Sequence, residues 1–215
     1  MRIQQLMKEN YNDLALVPNF YSQWNVGIHV ELGGEHYQLK ENGKLNMVRF
    51  ETAYRQVFCI LPLLFQKTDD IIVVVQSFPN EAEHTTYPNF FQRYIREQSR
   101  KYTLLLRSFN WVDEEESILV QQMGLSCKAA DIKLELLTKT LIHEDFYSLK
   151  PQLRKKHSKY APDIFLVNVR TKCIFHLYDD RGCEIINKNQ ALHEELLHAI
   201  KSLNLFTEEE IQSKL

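Results

Sequence analysis

The chain has 215 residues, 44% of them hydrophobic and 25% charged, with only 6 Gly and 6 Pro. This is the composition of a folded protein and excludes a disordered, fibrous or peptide-sized molecule. The 26 Lys and Arg set against 28 Asp and Glu give a formal charge of −2, so no broad positive field is available for a polyanion or an anionic membrane surface. Nucleic acid is disfavoured as a partner.

The N-terminal stretch mixes charged and apolar residues and lacks the uninterrupted apolar core of a secretory signal, which predicts a cytoplasmic protein. The longest uncharged apolar run, residues 57–65, is interrupted by Pro62 and falls well short of the roughly 20 residues that cross a bilayer. No membrane span is predicted. Cys59, Cys127, Cys173 and Cys183 form no CxxC pair, so they read as reduced core thiols rather than zinc ligands or redox partners.

In chain order, Val26, Ile28, Val30 and Leu32 alternate with polar partners and end at Gly33-Gly34, predicting a half-buried strand closed by a turn. Met47, Phe50, Tyr54, Val57, Phe58 and Leu61 then follow helical spacing, with Asn46 as the N-cap and Pro62 as the stop. Ile71 to Val75 is a continuous β-branched run and predicts a strand near the centre of a sheet. A short helix from Pro88 follows, with Phe91, Tyr94 and Ile95 inward. Residues 102–109 and 118–123 predict an antiparallel pair joined by the acidic turn 113–116.

Leu134, Leu137, Leu141 and Ile142 mark a further helix, and the basic stretch 150–159 reads as a solvated connector. Residues 1–215 are predicted to form a single domain, with a lobe boundary possible only near 148–162. Residues 164–169, 173–178 and 183–186 form a three-strand meander, with Gly182 supplying a positive φ at its second turn. A helix carrying Leu192, Leu196, Ala199, Ile200 and Leu203 closes the pattern, followed by a capping box at Thr207 and Glu210. The order lacks strict βαβ alternation, so the predicted fold is α+β: a mainly antiparallel sheet, flanking helices, and a C-terminal meander followed by a helix.

Candidate chemistry is sparse. His193 and His198 are five residues apart, whereas a helical zinc pair needs four, and their side chains should diverge. His143, Glu144 and Asp145 read as polar residues at a helix end. His29 and Glu31 share one face of the first strand, where an imidazole beside a carboxylate could do acid–base work, although a polar sheet face produces the same pair. Tyr178, Asp179, Asp180 and Arg181 concentrate acid, base and aromatic groups in one turn, a composition that suits a partner contact as well as turn chemistry. No phosphate-binding glycine loop, dinucleotide fingerprint or nucleophile elbow is present, and no cofactor or metal is predicted.

The segment Trp24 to Gly33 (WNVGIHVELG), the following helix with Arg49, the run Asp163-Ile-Phe-Leu-Val-Asn and the later His176-Leu-Tyr-Asp-Asp-Arg-Gly together resemble the bacterial domain-of-unknown-function family DUF3885. The likeness extends from about Asn19 to Leu203. It implies a compact bacterial cytoplasmic domain and carries no catalytic assignments. Trp24, Glu31, Arg49, Tyr178, Asp179, Asp180 and Arg181 form the candidate functional surface.

Two functions follow as expectations. The first is a non-catalytic domain that binds a protein partner whose identity the sequence does not give, of the immunity or antitoxin kind. The alternative is a metal-assisted hydrolase assembling His29, Glu31 and Asp179 or Asp180 around one cation. Catalysis is thus disfavoured without being excluded.

Overall fold

A computed structural model of the chain describes residues 3–79, 88–113, 116–153 and 161–202. Helix α1 (Ile3–Tyr11) opens the fold, followed by a 3₁₀ turn at Phe20–Gln23 and strand β1 (Gly27–Glu31). Helix α2 (Met47–Leu64), strand β2 (Asp70–Ser77) and helix α3 (Pro88–Tyr94) come next. Strands β3 (Leu105–Asp113) and β4 (Glu116–Lys128) form a long hairpin, and helix α4 (Leu134–Ile142) follows it. Strands β5 (Asp163–Asn168), β6 (Ile174–Leu177) and β7 (Gly182–Ile186) lead into helix α5 (Gln190–Ser202).

The seven strands make one sheet in the order β1-β7-β6-β5-β2-β4-β3, and every neighbouring pair is antiparallel. The fold is α+β. Its C-terminal meander, β5-β6-β7, ends in a helix as the sequence predicted. The first strand pairs with the last, and β2 lies between β5 and β4, which explains its buried β-branched run.

Alternation sends successive residues of β2 to different layers. Ile71, Val73 and Val75 join a core built with Phe50, Val57, Phe91, Leu137, Leu196 and Ile200, residues of α2 to α5. Ile72 and Val74 join a smaller core with Leu6, Tyr11, Leu16 and Phe20. The sheet therefore lies between four helices on one face and α1 with the 3₁₀ turn on the other. Tyr11 anchors this second layer, its hydroxyl donating to the Lys172 carbonyl and its ring meeting Trp24 edge-on at 4.8 Å.

Several local expectations need correction. Helix α2 continues to Leu64 with Pro62 inside it; near a helix end the proline removes only the N–H that Phe58 would have received, and Pro62 faces solvent. Asn46 precedes α2 without capping it by its side chain; its amide instead donates to the Tyr37 carbonyl at 3.1 Å. Met47 begins the helix 41% exposed, outside the buried stripe. Residues 98–103 form a 3₁₀ turn, which moves the start of β3 to Leu105. Gly182 has no positive φ. It is required by close approach, because a Cβ there would lie 2.7 Å from the Val30 carbonyl oxygen and collide with the Tyr178 hydroxyl.

Gly33 and Gly34 do take positive φ, 82° and 59°, at the predicted turn. Three cysteines are buried and Cys59 is exposed, so only three are core thiols. Burial pushes the Cys127 and Cys173 thiols up to about 12, which keeps them protonated. No helix among the described residues is long and apolar enough to cross a membrane. Residues 114–115 of the acidic turn, residues 154–159 of the basic stretch, Leu203 and the capping box at residues 207–210 lie outside the described residues.

Candidate functional site

The β6–β7 turn and the loop before α2 build one connected polar assembly. Arg49, in the first turn of α2, donates through Nε to the Asp180 carboxylate and through Nη2 to the Asp180 carbonyl at 3.1 Å. Gln38 donates to both Asp180 oxygens at 3.0 and 3.1 Å. The Asp180 side chain is fully buried and that of Arg49 is 11% exposed, so each charge relies on the other for solvation. Arg49 also donates to the His36 carbonyl at 2.7 Å.

Gly33 makes this geometry possible. A Cβ there would sit 2.6 Å from the Arg49 guanidinium, and the Gly33 N–H donates to Gln56 at 2.8 Å. The loop from Gly33 to Asn46 is thus fastened from beneath to α2 and to the β6–β7 turn, two segments 131 residues apart in sequence.

Asp179 works locally. Its carboxylate accepts from the Arg181 N–H at 2.7 Å and from Arg181 Nε at 2.8 Å, an Asx-type turn reinforced by charge. These hydrogen bonds hold the Arg181 guanidinium protonated more firmly than usual. Arg181 Nη2 also lies 3.5 Å from Asp145, so the helix-end acid joins this surface. Its neighbour His143 is buried and shares a hydrogen bond with the Tyr54 hydroxyl. Burial pulls the His143 imidazole below its ordinary range and pushes Tyr54 up to about 12.

On the opposite face, His29 lies between two tyrosine rings, Tyr21 at 5.1 Å and Tyr178 at 5.9 Å. Its Nε2 and the Tyr178 hydroxyl share a 2.8 Å hydrogen bond. Burial, then Asp179, raises the Tyr178 phenol. Next to this stack, His176 Nε2 lies 3.7 Å from Asp163 and Nδ1 lies 3.8 Å from Glu184. These are ion-pair distances, longer than hydrogen bonds. The imidazole is 1% exposed and packs at 4.5 Å against the Phe165 ring. Burial alone would lower its pKa, but the two carboxylates reverse this and raise it to about 9.

The predicted surface therefore divides. Arg49, Asp179, Asp180 and Arg181 come together. Tyr178 turns to the other face with His29, and half-buried Trp24 donates to the Asn187 carbonyl at 2.9 Å. Glu31 is exposed, paired across the strands with Gly182. The proposed hydrolase set does not assemble: both aspartates are held by guanidinium groups, His29 by tyrosine, and no group of three His, Cys, Asp or Glu among the described residues is placed to hold an ion. Sequence reasoning missed Gln38 and the grouping of His176 with Asp163 and Glu184, and it read Asp145 only as a polar residue at a helix end, without its contact to Arg181. A signal existed in the single polar residues Glu184 and His176 set inside apolar runs of the meander.

A family model described as Domain of unknown function (DUF3885) matches residues 3–204. The chain belongs to that family. It is also 32% identical over 191 residues to "Uncharacterized protein YnaE" of Bacillus subtilis (strain 168), a match that spans 86% of this chain and 89% of that protein. No solved structure matches the chain. The DUF3885 match takes in α1, which the resemblance read from the sequence, beginning near Asn19, left out.

Proposed function

We propose that this chain is a non-catalytic protein-binding domain, of the immunity or antitoxin kind, which acts by covering a protein partner. The observation that carries this reading is the surface of the fastened loop. Tyr37 is 85% exposed, Leu39 52%, and Val48, beside Met47 at the start of α2, 46%. A concavity of about 530 Å³ lies among Tyr37, Leu39, Lys40 and Asn46.

An exposed tyrosine with aliphatic neighbours and a charged rim has the composition of an interface centre. The buried Arg49–Asp180–Gln38 linkage beneath supports the reading, because a loop already ordered loses less conformational entropy on binding. Arg181, exposed on the adjoining turn, adds a charge suited to orienting a partner.

The test compares wild-type chain with a Tyr37→Ser/Leu39→Ser variant as bait in lysate of the native host, with circular dichroism confirming that both are folded. The expected result is a partner recovered by the wild type and lost by the variant. Identical recovery by both, or no specific protein with either, would sink the reading.

A further inference from the structure

We infer that the outer edge of β3 is a self-association surface, on which a second copy of this chain adds its own β3 antiparallel and continues the sheet. This is independent of the partner surface proposed above. Among the described residues, β3 is the last strand of the sheet and has only β4 as a strand neighbour. An edge strand presents a row of backbone N–H and C=O groups with no strand to receive them. Proteins commonly blunt such edges by proline, brevity or cover. β3 runs nine residues, LLRSFNWVD, without proline, and none of the residues from Leu105 to Val112 is buried.

The hairpin also overruns the sheet. β2 pairs with β4 only from Gln121 onward, whereas β3 pairs with β4 down to Glu116. Residues 109–113 and 116–120 therefore form a two-stranded ribbon with no third strand among the described residues. A two-stranded ribbon is marginal in water unless something packs on it, yet this one carries Val112 at 66% and Leu119 at 42% exposure.

The strand itself identifies the occupant. An antiparallel copy related by a twofold axis through Phe109 spans the whole of β3; its end pairs set Leu105 opposite Asp113, and from Leu106 to Val112 each position meets a residue of compatible chemistry. Leu106, 73% exposed, stands opposite Val112 of the copy. Arg107 stands opposite Trp111, Ser108 opposite Asn110, and Phe109 opposite itself. Arg107 already lays its guanidinium 4.5 Å from the Phe109 ring centroid, so the copy's Trp111 would give it a second aromatic surface. A parallel copy would instead set Arg107 beside Arg107. The isologous arrangement closes after two chains.

The experiment measures the mass of the full chain in solution by light scattering and sedimentation, up to its solubility limit. The wild type is expected at twice the chain mass. Leu106→Lys/Val112→Lys, which sets lysine opposite lysine at both 106–112 pairs, is expected to run as a monomer with an unchanged dichroism spectrum. In a Cys59→Ser background, Phe109→Cys should be joined to its copy by a short bis-maleimide. Leu105→Cys should not, its copies lying about 27 Å apart along the strands. A monomeric wild type, a dimer that survives the lysine variant, or equal cross-linking at both cysteines would overturn the proposal.

Discussion

At the β1-β7-β6 end of the sheet the protein buries charge. Asp180 is fully enclosed against Arg49, and His176 sits between Asp163 and Glu184 in a strand whose every residue is buried. At the β3 end it leaves apolar side chains in solvent, with Leu106 and Val112 more than half exposed. Charge in the interior is costly unless each group finds a partner, and the pairing then ties distant segments together. Apolar surface outside is tolerable when scattered and informative when it lines an unpaired edge. The first end fixes the arrangement of the chain, and the second leaves room for another molecule.

Breaking the buried pair should produce the largest effect. Arg49→Met leaves the Asp180 carboxylate enclosed with only Gln38 as donor, and a buried charge without its counter-ion costs about 3–5 kcal/mol. Urea unfolding monitored by tryptophan fluorescence measures it. A loss under about 1 kcal/mol would mean that the pair contributes no more than an exposed one, and that the loop is not fastened as described.

The second effect is a slope with pH. His176 has a folded pKa near 9, above the unfolded value of about 6.5. The folded state therefore holds its proton more tightly, and the stability this gives is complete below about 6.5 and lost as pH rises through about 9. Urea midpoints should fall steadily across that window. His176→Gln should flatten the slope while lowering stability throughout. A flat wild-type profile would show that the imidazole is neutral between its two carboxylates.

The sequence made most of the fold legible because periodicity reports faces. The β-branched run of β2, the alternation of β1 and the stripe of α2 each predicted an element and its buried side. Pairing partners were not legible, since nothing in residues 27–31 says that they will lie against 182–186. The candidate site divided in the same way. Asp179 and Arg181 were readable as a pair because they belong to one turn, whereas Gln38 and Asp145 reach that region through contacts across more than thirty residues of chain. For Gly182 the sequence suggests a positive φ, whereas the physical reason is its lack of a Cβ: the Tyr178 hydroxyl crowds it from within the same turn, and the Val30 carbonyl reaches it only through the pairing of β1 with β7.

The smallest effect sharpens the contrast at the other end. Leu106→Ala removes a side chain that is 73% exposed. For a separated chain the change in unfolding free energy should stay within about 0.5 kcal/mol, because little apolar area returns to water. In a self-paired chain the same residue faces Val112 of the copy and shields it. Association stabilises the folded state by mass action, so the wild-type melting temperature should climb with protein concentration and the climb should be shallower for Leu106→Ala. At high dilution the two proteins should melt together, and they should separate as concentration rises. Curves that differ equally at every concentration would place the role of Leu106 within one chain and leave the β3 edge without its partner.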